Sequence, residues 1–151
     1  MQVNNLKRIF AIEEYCMSCK LCEIHCLVKH SESKDIIKAF KKEKPRSLSR
    51  NLVEKKGAVS FSITCRHCPE APCITTCMTG AMQRESKTKA VIVDGDKCVG
   101  CWMCVMVCPF GVIKRDIEHG KVASKCDLCY DEEMPVCVKN CPNEALVYEE
   151  R

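Results

Sequence analysis

Lys97-Cys98-Val99-Gly100-Cys101-Trp102-Met103-Cys104-Val105-Met106-Val107-Cys108-Pro109 spaces four cysteines by two, two and three residues and closes on a proline. The pattern recurs. Cys16, Cys19, Cys22 and Cys26 repeat the same spacing, Cys65, Cys68, Cys73 and Cys77 follow two, four and three, and Cys126, Cys129, Cys137 and Cys141 follow two, seven and three. These quartets use all 16 cysteines of the 151-residue chain, and none is left over. Cysteines also supply much of the 46% hydrophobic content. What remains is a thin apolar complement, so a chain this short is expected to be held by crosslinks or metals as well as by packing. A conventional hydrophobic-core enzyme is thereby disfavoured, and the length bounds the protein to one domain or two small ones.

Three thiols two residues apart on a tight loop can wrap one cubane, each ligand reaching a different iron. The fourth, three residues on, lies on the following helical turn and points away. In the bacterial C-x2-C-x2-C-x3-C-P run it ligates the other cluster of a pair. Cys108-Pro109 and Cys141-Pro142 complete that run, whereas Cys26-Leu27 and Cys77-Met78 lack the proline. The rival metal is zinc, in a zinc-stabilised interaction module. A four-cysteine zinc site uses two separated pairs around one ion, which would leave the third cysteine of each knuckle redundant. Disulfides fit poorly, because residues 1–8 carry no apolar signal region or paired arginines and the chain reads as cytoplasmic, with reduced thiols. The longest uncharged stretch, residues 98–113, holds a Pro and four cysteines, so no membrane span is expected.

The gaps between quartets are 38, 20 and 17 residues. Two pairings stay open: sequential, first with second and third with fourth, or nested, second with third inside first with fourth. The short middle gap suits a compact two-cluster unit and leans towards nesting, while the 38-residue gap suits an insertion. Strands are expected over residues 8–12, 59–63, 91–94, 122–124 and 145–148, where apolar and β-branched residues gather. Short helices are expected to carry the last cysteine of each quartet, as over 71–78 and 102–108, and a modest amphipathic helix over 33–42.

The quartets resemble those of the four-cluster electron-transfer subunits allied to the beta subunits of dimethylsulfoxide reductase and formate dehydrogenase. Closer still, Ile12-Glu13-Glu14-Tyr15-Cys16, Cys65-Arg66-His67-Cys68-Pro69-Glu70-Ala71 and Lys97-Cys98-Val99-Gly100-Cys101-Trp102-Met103-Cys104 resemble the ferredoxin-like subunit associated with nickel carbon monoxide dehydrogenase, over nearly the whole length. The resemblance implies four [4Fe-4S] clusters and nested pairing. Cys16, Cys19 and Cys22 would then share a cluster with Cys141, and Cys126, Cys129 and Cys137 with Cys26. Inside, Cys65, Cys68 and Cys73 would pair with Cys108, and Cys98, Cys101 and Cys104 with Cys77. The fold would be α+β, two ferredoxin-like two-cluster units with residues 59–114 nested inside an outer unit of residues 1–58 and 115–151. Sixteen thiolates around four cores of charge +2 would take the formal charge from +4 to about −4. The basic excess therefore does not by itself point to nucleic acid.

The resemblance further implies an electron carrier, with carbon monoxide dehydrogenase as donor and a hydrogenase or flavin NAD(P)H oxidoreductase as acceptor. The alternative within that class is an electron-transfer subunit of a formate dehydrogenase or hydrogenase complex. No nucleophile, base and orienter set and no Gly-rich phosphate loop is found, so the chain is expected to have no substrate-converting site of its own. Residues 29–56 hold ten Lys/Arg against four Asp/Glu. The run reads as a solvated face or as a docking surface for an acidic partner, not as a nucleic-acid module. Met78, Met82, Met103 and Met106 are expected to fill space around the cubanes, and Trp102, Tyr15 and Tyr130 to pack over them. His25 and His67 are expected to be exposed or to donate to ligands, and Gly100, Gly111 and Gly120 to serve as isolated turn residues.

Overall fold

The computed structural model describes residues 6–150, in which eight short strands pair only two by two, always antiparallel. The strands are β1 (Lys7–Ala11), β2 (Leu52–Lys56), β3 (Val59–Ile63), β4 (Met82–Arg84), β5 (Val91–Val93), β6 (Lys114–Asp116), β7 (Val122–Ser124) and β8 (Leu146–Glu150). Between them lie the helices α1 (Leu21–Lys29), α2 (Ile36–Lys41), α3 (Pro72–Thr75), α4 (Met103–Val107) and α5 (Val136–Lys139). The result is a small α+β protein whose elements are too short to stand without the loops they carry. Among the described residues no helix is long and apolar enough to cross a membrane.

Three of the strand pairs are local hairpins and the fourth joins the ends. Lys56 faces Val59 across a two-residue turn in which Gly57 takes φ +62°, the left-handed conformation such turns demand. The β4–β5 turn is tied by the Glu85 carboxylate, which accepts from the Lys87 N–H at 2.8 Å and the Thr88 hydroxyl at 2.9 Å. At the ends, β1 runs against β8 from Lys7 opposite Glu150 to Ala11 opposite Leu146. The sequence anticipates β1, β3, β5, β7 and β8 to within two residues. It misses β2, β4 and β6, because Leu-Val-Glu-Lys-Lys, Met-Gln-Arg and Lys-Arg-Asp carry little β-branched content and are strands through their partners.

The helices also depart from expectation. Only Cys26 of the four last cysteines lies within a helix; Cys77, Cys108 and Cys141 fall just beyond α3, α4 and α5. The helical cysteines there are Cys73, Cys104 and Cys137. Pro109 and Pro142 account for two of the three. A following proline disfavours the helical region, and Cys108 indeed turns extended at φ −71°, ψ 113°. Helix α2 is shorter than the expected 33–42, and starts where the Asp35 side chain accepts from the Lys38 N–H at 2.9 Å.

Cysteines form much of the interior. One buried cluster gathers Ile9, Val53, Leu128 and Leu146 with Cys22, Cys65, Cys126 and Cys137. A second gathers Ala71, Met82, Val91 and Ile113 with Cys73 and Cys104. Cys108 packs against both. Sulfur therefore occupies the places that aliphatic side chains fill in an ordinary core.

Candidate metal centres

Each quartet begins on a loop bent by left-handed residues. The second residue after the first cysteine is Ser18, His67, Gly100 or Leu128, at φ 60°, 46°, 68° and 60°. Lys20 and Trp102 repeat the turn two residues later, at φ 62° and 63°. A left-handed residue costs a non-glycine side chain about 1 kcal/mol, so five such residues mark a backbone held for a purpose. Alternating hands turns successive N–H groups towards the concave side, making an anion-binding nest. The N–H groups of His67 and Leu128 each donate to the Sγ of the quartet's first cysteine, Cys65 and Cys126, at 3.4 Å. The Met82 N–H reaches Cys77 Sγ at 3.5 Å and the Arg50 N–H reaches Cys26 Sγ at 3.3 Å.

The cysteines come together in mixed sets. One cavity is lined by Cys16, Cys19 and Cys22 with Cys141, walled by Tyr15, Val53, Ala145 and Leu146. A second is lined by Cys65, Cys68 and Cys73 with Cys108. A third is lined by Cys98, Cys101 and Cys104 with Cys77, beside Trp102, Met82 and Val93. Cys26 lies close enough to Cys126, Cys129 and Cys137 to act on all three electrostatically. In every set, three cysteines of one quartet meet the last cysteine of another. Helix packing brings this about, since α1 lies against α5 and α3 against α4.

These sets stand in succession. Cys104 is acted on by Cys73, Cys126 by Cys65, and Cys137 by Cys22. The Cys98 set thus adjoins the Cys65 set, which adjoins the Cys126 set, which adjoins the Cys16 set. Cys19 and Cys101, in the first and last sets, are exposed, whereas Cys126, Cys129 and Cys137 are buried. Burial raises the Cys104 and Cys129 thiols to about 11, and raises Cys126 and Cys137 further. A cysteine ligates metal as its thiolate, so binding at these buried positions releases the thiol protons.

The donor chemistry fits a sulfide-bridged iron cluster. Among the described residues no three His, Cys, Asp or Glu side chains converge closely enough to hold a single ion. Instead, thiols face one another across cavities with apolar walls. His67 supplies a second sign. It is fully buried, and its Nδ1 accepts from the Val91 N–H at 2.9 Å, which leaves the ring proton on Nε2 with no protein partner. A group rich in sulfide in the adjoining cavity would provide the acceptor.

Part of the basic segment serves the Cys126 set. Arg50 Nη1 meets Asp127 Oδ2 at 2.5 Å, and His30 Nε2 lies 3.3 Å from the same oxygen. Burial works against the charged form of His30, but its contacts with Asp127 and Cys26 prevail and raise it to about 9. Lys29 binds Asp131 and Glu132 next to the same knuckle. The sequence offered no sign of these contacts, since the partners lie 77 to 103 residues apart. The methionine expectation holds for Met82, at 3% exposure, and fails for Met78 and Met106, both 81% exposed. Gly100 is more than a turn residue, because a β-carbon on it would overlap the Lys121 carbonyl oxygen.

The family described as the 4Fe-4S dicluster domain matches residues 58–151. An iron-sulfur protein of Rhodospirillum rubrum is 39% identical over 153 residues, spanning 91% of this chain and 79% of its own. The electron transport protein HydN of Escherichia coli (strain K12) is 33% identical over 159 residues, spanning 95% of this chain and 87% of its own. Among solved structures, a chain of the BamBC complex of benzoyl coenzyme A reductase aligns over 97% of this chain and 80% of its own, with a TM-score of 0.52 at 22% identity. That likeness is one of fold.

Proposed function

The chain belongs to the 4Fe-4S dicluster domain family and is an electron-transfer iron–sulfur protein, and on that premise we propose that its sixteen cysteines hold four [4Fe-4S] clusters in a wire. Iron–sulfur chemistry displaces the zinc alternative. The observation that carries the proposal is the mixing of quartets, three cysteines of one with the last of another, in all four sets. The ligands would be Cys16, Cys19, Cys22 and Cys141; Cys126, Cys129, Cys137 and Cys26; Cys65, Cys68, Cys73 and Cys108; and Cys98, Cys101, Cys104 and Cys77. This sharing supports the nested arrangement, with residues 59–114 as the inner unit.

When bound, a [4Fe-4S] cluster takes up and returns one electron with little rearrangement. The chain does the rest. Knuckle N–H groups donate to ligand sulfurs and favour the more negative state, while apolar walls keep water off. Exposed Cys19, rimmed by Tyr15 and Met17, and exposed Cys101, rimmed by Val99 and Met103, offer two ends for exchange with larger proteins. Electrons would enter from carbon monoxide dehydrogenase and leave to a hydrogenase or flavin NAD(P)H oxidoreductase. A second reading, a subunit of a formate dehydrogenase or hydrogenase complex, is favoured by the near-full-length likeness to an electron transport protein. The protein has no substrate-converting step in either case.

Mixing the reconstituted protein anaerobically with catalytic nickel carbon monoxide dehydrogenase and carbon monoxide separates the two. Bleaching of the visible absorbance that needs both enzyme and gas is expected. Bleaching by dithionite but not by carbon monoxide would reject that donor and favour the second reading.

A further inference from the structure

Lys125 is the largest fully buried side chain among the described residues, with 2% of its surface exposed. Lysine is almost never found so deep without a carboxylate. Among the described residues none lies within ion-pair distance of its ammonium; the neighbouring Asp127 is taken up by Arg50 and His30. Lys125 Nζ donates instead to two backbone carbonyls, that of Val91 and, at 2.7 Å, that of Cys126. These belong to different parts of the molecule. Cys126 opens the fourth quartet, whereas the Val91 N–H binds His67, inside the loop between Cys65 and Cys68. Two hydrogen bonds through one residue of β5 therefore link the ammonium to the second-quartet loop, and one bond links it to the fourth. The ammonium is near enough to Cys73 of the second quartet and Cys126 of the fourth for its charge to act on both.

A desolvated cation with only carbonyl partners leaves part of its charge unmet. Carbonyl dipoles satisfy two of its three N–H bonds and supply no net negative charge. The negative charge on either side is that of the thiolate-bound groups placed above in the Cys65 and Cys126 sets. Of the other cations near the cysteines, Arg50 is compensated by Asp127, and Lys29 by Asp131 and Glu132. Lys114 and Arg84 also donate to backbone carbonyls, but both are only half-buried, so water reaches them as it does not reach Lys125.

We propose that Lys125 is a built-in counter-cation at the junction between the inner and outer cluster pairs, raising the reduction potentials of the two clusters that flank it. The inference rests on the cluster assignment above. Adding one electron, supplied in the test by dithionite, places one more negative charge beside Nζ, with no bond made or broken and no proton required. A fixed positive charge favours that state in both flanking sets. Electrons would then pause in the middle of the wire and not at its exposed ends. Lys125 is a positioning charge in this scheme, and it ligates nothing.

The test is a dithionite titration of the reconstituted full chain, followed by electron paramagnetic resonance, for wild type, Lys125→Met and Lys125→Arg, with iron and sulfide counted in each. In Lys125→Met the reduction equilibrium of at least one cluster should fall about tenfold, which is about 59 mV for a one-electron couple, and Lys125→Arg should restore it. Lys125→Gln, which keeps a donor for the two carbonyls without the charge, serves if the methionine variant does not load. If neither neutral variant holds its clusters while Lys125→Arg holds all of them at native potentials, the need for the charge is upheld. A neutral variant fully loaded at wild-type potentials overturns the proposal, as does failure of all three variants to load, which would mark a packing role. A wild type without clusters would instead fail the cluster assignment itself.

Discussion

Ile9 lies opposite Tyr148 in the pair of β1 and β8, so a residue near the start of the chain is held by one near its end. Ile9 is 2% exposed and packs in the same cluster as Cys22, Cys126 and Cys137. Deleting the chain from Leu146 onward should uncover it. Loss of the Ile9 and Leu146 burial costs about 1.5–3 kcal/mol for each side chain. The thermal midpoint should fall and the Cys16 and Cys126 sets should lose iron before the inner two; equal loss from all four would contradict the pairing of the ends with the outer sets.

Cys141 shares its cavity with Cys16, Cys19 and Cys22, over a hundred residues away. Cys141→Ser should therefore damage the cluster of the first quartet. Electron paramagnetic resonance on the reduced protein checks this. A changed signal from the Cys98 set, with the Cys16 set intact, would rule out nesting.

Gly100 sits at φ +68° with the Lys121 backbone against its α-carbon. Gly100→Ala should cost the left-handed penalty of about 1 kcal/mol and, in addition, push the Cys98–Cys101 loop off the β6–β7 turn. Gly111, at φ +60° with open space around it, isolates the first effect. Gly111→Ala should lose about 1 kcal/mol and keep its iron, whereas Gly100→Ala should lose more and fall short in iron from the Cys98 set. Equal behaviour of the two variants in chemical denaturation and iron analysis would contradict this.

His119 is bound to Asp116 at 2.9 Å in the β6–β7 turn. The carboxylate raises it above its ordinary value, against a smaller opposing effect of burial. A raised folded value gives stability that is complete below the unfolded value of about 6.5 and is lost as pH rises through the folded one. Solvent reaches the His119 ring, whose side chain is 32% exposed against 14% for Asp116, and screens the pair, so the effect is at most about 0.5 kcal/mol. The gap in thermal midpoint between wild type and His119→Gln should be full below about pH 6.5 and close as pH rises through the raised folded value. A gap that widens with pH would have the wrong sign.

Ligand chemistry is the part of the molecule most legible in sequence, because the loop that wraps a cluster is local and its cysteines must recur at short spacings. Position 100 announced its turn through glycine, but Ser18, Lys20, His67 and Leu128 adopt the same left-handed backbone with side chains that give no sign of it. Such strain is imposed by what the loop encloses. Residues 29–56 read as a charge run, yet Arg50 and His30 turn inward onto Asp127, a contact that only the folded chain creates. Lys125 was equally silent. One lysine among 24 basic residues looks like surface until its neighbours bury it.

The most direct measurement is a count of iron, sulfide and electrons per chain after anaerobic reconstitution. Four clusters predict about 16 irons, about 16 sulfides and uptake of up to about four electrons. About eight irons with half the cysteines still titratable as free thiols, or about four zincs and no sulfide, would contradict the four-cluster wire.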